Sequence, residues 1–328
     1  IIFEHDIVCK YMINFLYCLD ENYNIQAFTS ILSLLDNLSE KANFFIIHRN
    51  LDRFEKIPPI ISKHEKLNKL ITYSFSNLYD KFPNVKNSHI SEATYYRLFI
   101  SQILPKELSE ILYIDCDIIS TKPIKNEFKK IFDSLNQSNQ AIGVKTEFLR
   151  DKNNQYIFSN LKLQNDKYFN AGVMFINLEK WRSINIEEKA KNIIEDNKIE
   201  FAFWDQDILN KLFDGEYFEI ENKFNYGVDV ENFNLNNNEI FDKSFLIHYM
   251  GSKKPWTVEG LLNSNSNFYQ KYYQQLGMDN YHITHKWKKY STYLFLLNLI
   301  NFRLIKNHKF LKLVQSFRNS MKSKGDNL

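Results

Sequence analysis

Residues 111–117 read Ile-Leu-Tyr-Ile-Asp-Cys-Asp, an apolar run that leads directly into two acids around one cysteine. The apolar part predicts a strand that is buried on both faces of a sheet. Unpaired carboxylates are costly inside a sheet, so the strand must end here, where water or a cation compensates the charges. Alternation along an extended chain places Asp115 and Asp117 on one side and Cys116 on the other.

These two acids indicate a metal site, because carboxylate oxygens at the carboxyl end of a central strand suit Mg²⁺ or Mn²⁺. Open α/β sheets also place their ligands at this edge. His248 ends another apolar strand and would complete a mixed oxygen and nitrogen set suited to Mn²⁺. The alternatives are an acidic turn in which Asp117 caps the next segment, and a structural histidine.

The chain around this stretch alternates short apolar runs with helical patterns, which predicts a parallel sheet with right-handed crossovers. Strands are expected at 14–19, 42–48, 70–75, 111–114, 141–144, 168–177 and 245–249. Helices are expected at 25–38, 91–99, 187–197 and from 204 onward. The polar, Asn-rich segment 151–166 is expected to form a mobile loop.

Composition excludes several classes of protein. The chain is 44% hydrophobic and 16% aromatic, which is inconsistent with disorder. It contains only eight glycines and no Gly-rich phosphate loop, so a bound phosphate must be held by a metal and side chains. Three cysteines, Cys9, Cys18 and Cys116, with no C-x-x-C spacing argue against a disulfide framework or a zinc site and fit a reducing compartment.

Polar residues beyond two other strands are further candidates. Gly251 and Lys254 follow the His248 strand, and they predict a diphosphate clamp, since glycine permits close backbone approach and lysine supplies a point charge. Asp20 and Asn22 follow the first strand. They would contact a base or ribose, or simply form a turn and a helix cap.

Two helical segments carry the remaining candidates. Arg97 lies just before the central strand, where it would reach a phosphate or sugar, or pair with a surface acid. Asp205, Gln206 and Asp207 open a helix, and the helix dipole alone explains an acidic first turn. The functional interpretation instead places Gln206 and one acid against a reacting sugar.

The C-terminal tail is strongly basic. Residues 286–328 contain ten of the 42 Lys and Arg residues and one of the 39 acids. Apolar residues recur there at helical spacing, namely Phe310, Leu313, Val314, Phe317 and Met321. This pattern predicts a basic amphipathic helix on an anionic membrane, in preference to a helical pair packed on the body. Charge alone would also allow nucleic acid, but the chain has no nucleic-acid motif.

Six short motifs together resemble glycosyltransferase family 8, which contains bacterial lipopolysaccharide galactosyl- and glucosyltransferases and the glycogenins. In the family's order they are LDENY at 19–23, ATYYRL at 93–98, LYIDCD at 112–117, YFNAGV at 168–173, DQDILN at 205–210 and HYMGSKKPW at 248–256. They span roughly residues 14–260. Each motif is weak alone, and their common order carries the resemblance.

The resemblance implies a retaining, metal-dependent transfer of a hexose from a UDP-sugar, with galactose ahead of glucose, to a saccharide or glycolipid acceptor. Growing lipopolysaccharide or lipooligosaccharide is the expected acceptor. The implied fold is a single Rossmann-like α/β domain of the GT-A type, with a mixed, mainly parallel sheet, over residues 1–281. A basic helical tail over 282–328 would attach the protein to the inner face of the cytoplasmic membrane.

The same resemblance assigns roles residue by residue. The positions matching the Mn²⁺ ligands, with Mg²⁺ as the alternative ion, are Asp115, Asp117 and His248. The positions matching uridine and diphosphate contacts are Asp20, Asn22, Gly251 and Lys254. Those around the donor sugar are Arg97, Asn170, Asp205 and Gln206, with Gln206 nearest the anomeric carbon and Asp205 beside it in the catalytic pair. Cys116 and Ala171 lie inside the matched motifs and are included among the nucleotide-sugar contacts.

Two rival functions remain open. A strand ending in D-x-D also resembles the site of haloacid-dehalogenase-like phosphatases, where Asp115 would be the nucleophile. Those enzymes need a later pair of adjacent acids, and no Asp-Asp pair occurs in this chain. The other rival is a non-catalytic, membrane-attached protein that binds nucleotide sugars or glycans, against which the three candidate metal ligands argue.

Overall fold

A computed structural model describes residues 12–75, 79, 81–83, 91–196, 198–230, 236–261, 263–284, 311–312, 314–316 and 318. The strands are β1 Ile13–Leu19, β2 Ala42–His48, β3 Leu67–Ser74, β4 Glu110–Ile114, β5 Ile118–Ser120, β6 Ile142–Leu149, β7 Lys167–Asn177, β8 Phe218–Glu219, β9 Tyr226–Val228 and β10 Leu246–Tyr249. The α-helices are α1 Asn24–Asn37, α2 Pro59–Ser62, α3 Ile100–Ile103, α4 Glu127–Gln137, α5 Gln155–Leu161, α6 Leu178–Ser183, α7 Ile186–Ile194, α8 Trp204–Phe213, α9 Asn237–Lys243, α10 Val258–Leu261 and α11 Asn267–Gln275. Short 3₁₀ helices lie at Glu21–Tyr23, Leu51–Arg53, Glu92–Phe99, Asn222–Phe224 and Ser264–Ser266.

The strands form two sheets. The larger has the order β3-β2-β1-β4-β7-β6-β8, and the smaller has the order β5-β10-β9. In the larger sheet β3, β2, β1 and β4 run parallel, whereas β7 runs antiparallel to both β4 and β6. The expected mixed, mainly parallel sheet is confirmed.

Alternation along β1 shows how the sequence builds two hydrophobic layers. Phe15 and Tyr17 pack on the side that α1 covers, and Leu16 and Cys18 pack on the opposite side. Each fully buried aliphatic or aromatic side chain contributes about 1.5–3 kcal/mol to the free energy of unfolding. Both faces of the parallel strands are therefore covered, which leaves the carboxyl edge of the sheet as the place for a site.

Residues 151–166 do not form the expected loop, because they contain helix α5. That helix buries Ile157, Phe158 and Leu161, an apolar stripe hidden among asparagines and lysines. The strand expected at 141–144 continues to Leu149. Strands β5, β8 and β9 were not predicted, since two or three residues carry no readable alternation.

The predicted C-terminal helix lies mostly outside the described residues, and so do Phe310, Leu313, Phe317 and Met321. The described part is helical. There Ser316 is buried and its hydroxyl accepts a hydrogen bond from the Tyr281 backbone N–H at 2.8 Å, while Leu311 and Val314 are exposed. Among the described residues, no helix has the length and apolar character needed to cross a bilayer.

Candidate active site

The central strand β4 stops at Ile114, and residues 115–117 form a turn that is closed by a hydrogen bond from the Ile118 N–H to the Asp115 carbonyl at 3.2 Å. A turn therefore brings Asp115 and Asp117 together, and the alternation expected for an extended strand does not apply. Ligand atoms of Asp115, Asp117 and His248 all lie within 4.8 Å of one another. Cys116 is buried in the hydrophobic layer beneath them.

The small sheet brings His248 to the two acids across more than 100 residues of sequence. Strands β5 and β10 pair antiparallel, with His248 opposite Ile118. The next residue, Tyr249, donates its backbone N–H to the Asp117 carbonyl at 3.1 Å. The strand that leaves the acidic turn therefore pairs directly with the strand that carries the histidine.

Asp117 has two carboxylate oxygens in different environments. Oδ2 accepts a hydrogen bond from Lys254 Nζ at 2.6 Å. Oδ1 is buried, has no hydrogen-bond partner among the described residues and lies 3.4 Å from His248 Nε2. Burial raises the pKa of the Asp117 carboxyl, but favourable interactions led by the charge of Lys254 outweigh it and the net pKa is lowered, so the group is ionised. A buried, unpartnered carboxylate oxygen beside an imidazole nitrogen fits a divalent cation.

Asp115 connects the candidate metal ligands to side chains inside the protein through hydrogen bonds. Its Oδ1 accepts hydrogen bonds from the Tyr113 hydroxyl at 2.5 Å and from Arg97 Nη1 at 3.3 Å. Burial raises the pKa of Asp115, which Arg97 partly offsets. Arg97 lies over the Tyr113 ring, 4.5 Å from its centroid.

The Arg97 guanidinium is buried and connects three parts of the site. Nε donates to Asp205 Oδ2, and Nη1 also donates to the Ala171 carbonyl at 2.7 Å. Of the two expectations for Arg97, pairing with a surface acid is wrong, because Asp205 is only 2% exposed. The 3₁₀ helix Glu92–Phe99 thus fixes helix α8 against β7 through one side chain.

Gln206 has both ends of its amide occupied. Oε1 accepts the Ala171 backbone N–H at 3.0 Å, and Nε2 donates to the Tyr168 hydroxyl at 3.4 Å. Tyr168 donates in turn to Asp207 Oδ1, whose other oxygen accepts the Phe203 N–H at 2.8 Å. Burial raises the pKa of Asp207. These bonds hold the Gln206 side chain in one orientation.

Strand β7 extends beyond the end of β4, and the site is built on this overhang. Its last pair with β4 joins Val173 to Ile114, so no strand of the described ranges lies beside residues 167–172 on that side. Helix α8 replaces the missing strand, because Asn210 accepts the Phe169 N–H at 2.8 Å and donates to the Phe169 carbonyl at 2.9 Å. Arg97 and Gln206 occupy the next backbone groups, those of Ala171.

The candidate nucleotide contacts lie at the ends of β1 and β10. Asp20 is buried and its Oδ1 accepts the Asn22 N–H at 2.9 Å, so the capping interpretation of Asp20 is confirmed. Asn22 is exposed. Gly251 has φ of +77° and open space where a Cβ would lie, so its backbone conformation favours glycine.

The family model described as Glycosyl transferase family 8 matches residues 14–260. The chain belongs to glycosyltransferase family 8. It is 30% identical over 257 residues to the lipopolysaccharide 1,2-glucosyltransferase of Escherichia coli, covering 73% of this chain and 71% of that protein. It is 25% identical over 273 residues to the lipopolysaccharide 1,3-galactosyltransferase of Salmonella typhimurium, covering 78% and 77%.

The fold of this family 8 member also matches that of a solved structure. The galactosyltransferase LgtC, in complex with donor and acceptor sugar analogues, superposes with a TM-score of 0.64 at 20% identity, covering 81% of this chain and 97% of LgtC. The match supports the GT-A type of fold. The predicted family is confirmed, and the protein is a glycosyltransferase.

Three residues of this family 8 site were not recognised from the sequence. Gly172 allows His248 to approach, because a Cβ there would lie 2.4 Å from His248 Cε1. Asn225 lies 2.9 Å from His248 Nδ1, and Tyr168 supports Gln206. Gly172 and Tyr168 lie inside a quoted motif, YFNAGV, but Asn225 carries no sequence signal of its own.

Proposed function

We propose that this family 8 glycosyltransferase transfers a hexose from a UDP-sugar to a saccharide acceptor, depends on Mn²⁺ or Mg²⁺, and retains the anomeric configuration. The observation that carries the proposal is the convergence of Asp115, Asp117 and His248 beside Arg97 and the buried helix start of α8. That arrangement supplies a cation site and a rigid polar wall at one edge of the sheet.

The proposed cation would be held by Asp115, Asp117 and His248, and when bound it would neutralise charge on the diphosphate leaving group. Lys254 lies beside this position, since its ammonium bonds Asp117 Oδ2 and also the Tyr249 carbonyl at 2.7 Å. Its charge is therefore fixed where the β-phosphate would gain negative charge. Gly251 precedes Lys254 in the sequence, and the space where its Cβ would lie is open, which gives the diphosphate room to approach the backbone.

The donor sugar would lie against Gln206, Asn170 and the backbone of β7. A two-step retaining route needs a free carboxylate nucleophile near the anomeric carbon. Asp205 is paired with Arg97, and both oxygens of Asp207 accept hydrogen bonds. Gln206 is an amide and a poor nucleophile. We therefore propose attack by the acceptor on the face that the leaving group vacates, with a β-phosphate oxygen taking the acceptor's proton.

The proposed donor is UDP-galactose, with UDP-glucose next, and the proposed acceptor is growing lipopolysaccharide or lipooligosaccharide. The two relatives above are named for glucosyl and galactosyl transfer to lipopolysaccharide, which supports this class of reaction. A cavity of about 680 Å³ borders Asp207 and is lined by the exposed ring of Tyr156 and by Glu200. An aromatic ring with nearby acids suits a saccharide.

UDP release from a panel of UDP-sugars, measured with Mn²⁺, Mg²⁺ or EDTA, tests the proposal. We expect slow Mn²⁺-dependent release from one UDP-hexose, abolished by EDTA. Asp117→Asn removes an anionic ligand of the proposed cation. Mutation of a residue that only orients a metal ligand already lowers metal affinity or activity about 10–100-fold. We therefore expect the rate of UDP release to fall by at least about a hundredfold. Phosphate release from simple monoesters, with no UDP release, would support the phosphatase rival instead.

We further propose that residues 282–328 attach the protein to the inner face of the cytoplasmic membrane. In the described part of this tail, the Ser316 side faces Tyr281 while Leu311 and Val314 face solvent. Leu311 and Val314 are thus apolar side chains exposed to solvent, and the Lys and Arg residues of the tail suit anionic headgroups.

Co-sedimentation with vesicles tests this attachment. We expect the full chain to bind vesicles rich in anionic lipid and to be released by high salt, because surface charges are screened. A chain ending at residue 285 should lose vesicle binding and keep transfer to a soluble acceptor. Equal binding of the two chains would contradict the attachment, and zwitterionic vesicles serve as the control.

A further inference from the structure

The His248 imidazole makes a buried hydrogen bond on the side away from the acids. Its Nδ1 lies 2.9 Å from Asn225 Oδ1. Asn225 is 1% exposed and follows the 3₁₀ helix Asn222–Phe224, one residue before β9. Nothing in the proposed transfer chemistry requires this amide, so its place beside a candidate metal ligand needs an explanation.

The direction of this hydrogen bond follows from a chain of contacts that starts at a backbone group. The Gly172 N–H can only donate, so the Asn170 atom 2.9 Å away is its amide oxygen. That same oxygen lies 2.9 Å from the Asn225 amide, which must therefore present its nitrogen. The Asn225 oxygen then faces His248, and it requires a proton on Nδ1.

A neutral imidazole with its proton on Nδ1 carries a lone pair on Nε2. Nε2 lies 3.4 Å from Asp117 Oδ1, the buried carboxylate oxygen for which the described part of the chain offers no hydrogen-bond donor. Two lone pairs therefore point into the same space, which suits a shared cation. The opposite tautomer would set the Nδ1 lone pair of His248 against the Asn225 oxygen.

The chain of contacts also connects the two sheets. Asn170 and Gly172 belong to β7 of the larger sheet, whereas His248 belongs to β10 of the smaller one. Asn225 joins them, because it immediately precedes β9, whose Gly227 pairs with His248. The orientation of the imidazole is thus fixed relative to the sheet edge from which Asp115 projects.

We propose that Asn225 is a positioning residue: its amide oxygen holds His248 with Nδ1 protonated and Nε2 bare and directed at the cation. Asn170 sets the orientation of Asn225, and the Gly172 backbone sets that of Asn170. The proposal rests on the proposed cation at Asp115, Asp117 and His248. The tautomer, however, is a property of the protein before any cation binds.

Nitrogen NMR of the full chain labelled with ¹⁵N-histidine tests the tautomer without a cation or substrate. His248→Asn, compared with the wild type, assigns the His248 signals. We expect the Nδ1 signal of a protonated ring nitrogen and the Nε2 signal of a bare one. Protonation at Nε2 and a bare Nδ1 in the wild type would overturn the proposal.

Mn²⁺ titration of two variants tests the positioning role. Asn225→Leu removes the acceptor and should weaken Mn²⁺ binding about 10–100-fold, the usual cost of losing a group that orients a metal ligand. Asn225→Asp keeps an oxygen for the Nδ1 proton but sets its second oxygen against Asn170 Oδ1, so it should bind Mn²⁺ more weakly than wild type and more tightly than Asn225→Leu. Asn263→Leu is the matched control, because Asn263 is 3% exposed and bonds the Val230 carbonyl, away from the ligands.

Each outcome decides one question. Unchanged Mn²⁺ affinity in Asn225→Leu, or equal loss in Asn225→Asp and Asn225→Leu, would overturn the positioning role. If Asn225→Leu fails to fold, the wild-type spectrum and Asn225→Asp still decide. A wild type that shows the expected tautomer but binds no Mn²⁺ would contradict the proposed metal dependence and leave the hydrogen-bond assignment standing.

Discussion

Gly172→Ala is expected to abolish transfer while leaving the fold intact. The added methyl would lie 2.4 Å from His248 Cε1, 2.8 Å from His248 Nδ1 and 3.0 Å from Asp115 Oδ2. The ring must move to avoid this methyl, and the movement disrupts the buried hydrogen bond between its Nδ1 and Asn225. Displacing catalytic groups by about 1 Å costs on the order of a hundredfold in rate, and here the movement also breaks the ligand set. We expect Mn²⁺ affinity and kcat/KM each to fall by at least about a hundredfold.

Gly143→Ala is the control for this variant. Gly143 lies on β6 of the same sheet, where a Cβ would meet Ile220 and Phe175 at 3.4 Å, an ordinary contact. We expect near wild-type Mn²⁺ affinity and activity for it. Both variants should fold, with a lower melting temperature for Gly172→Ala, because overpacking a buried site costs about 1–3 kcal/mol. Full activity in Gly172→Ala would mean that His248 has no part in the reaction.

Arg97→Met is expected to cause the largest loss of stability. The guanidinium is the charge partner of Asp205 and contacts Asp115. Arg97 and Asp205 are buried, and Asp115 is half-buried. Removing one member of a buried ion pair leaves an uncompensated charge and costs about 3–5 kcal/mol. Urea unfolding should show this as a lower midpoint at an unchanged slope.

The pH dependence of the Arg97→Met variant has a defined sign. Arg97 lowers the pKa of Asp115, so its loss raises the pKa of that half-buried carboxyl further above the unfolded value. The folded variant then binds more protons than the unfolded chain, and its stability falls as pH rises. The deficit relative to wild type should therefore be smaller near pH 5 than near pH 8. A deficit that is constant across this range would contradict the unpaired-carboxylate explanation.

A double variant distinguishes the effect of the unpaired Asp205 charge on stability from the role of Arg97 in positioning its hydrogen-bond partners. Adding Asp205→Asn to Arg97→Met removes the stranded charge and should recover part of the lost stability, as a coupling energy in a double-mutant cycle. Transfer activity should not recover, because the Ala171 carbonyl and Asp115 still lack their donor. Recovery of both would show that Arg97 serves stability alone.

Much of this site was predictable because its chemistry lies where strands end. Asp115 and Asp117 follow an apolar run at the carboxyl end of a central strand, which is the edge where open α/β sheets place their ligands. His248 lies near the end of another apolar run, although that run belongs to the smaller sheet. The order of motifs then identified the family. These patterns are local in sequence, so they can be recognised without knowing how the chain packs.

Other parts depend on contacts that no local pattern records. The turn at 115–117 replaces the expected strand geometry, since Ile118 begins a strand of the second sheet. Asn225 contacts His248, which lies 23 positions further along the chain, so no local pattern links the two. Strands β5, β8 and β9 have only two or three residues, too few for an alternating pattern to be recognised. Helix α5 was missed because polar residues conceal its buried stripe.

The extension of β7 beyond β4 determines how the polar wall of the site tolerates sequence change. Arg97 and Gln206 hold the peptide group of Ala171 rather than its side chain, and Asn210 holds the peptide groups of Phe169. The position of this wall therefore depends on the lengths and the register of β4 and β7, because β7 extends beyond the residue at which β4 ends. A residue inserted into or deleted from β4 would disrupt all of these hydrogen bonds to the β7 backbone at once. A small apolar substitution at position 171 would leave them in place.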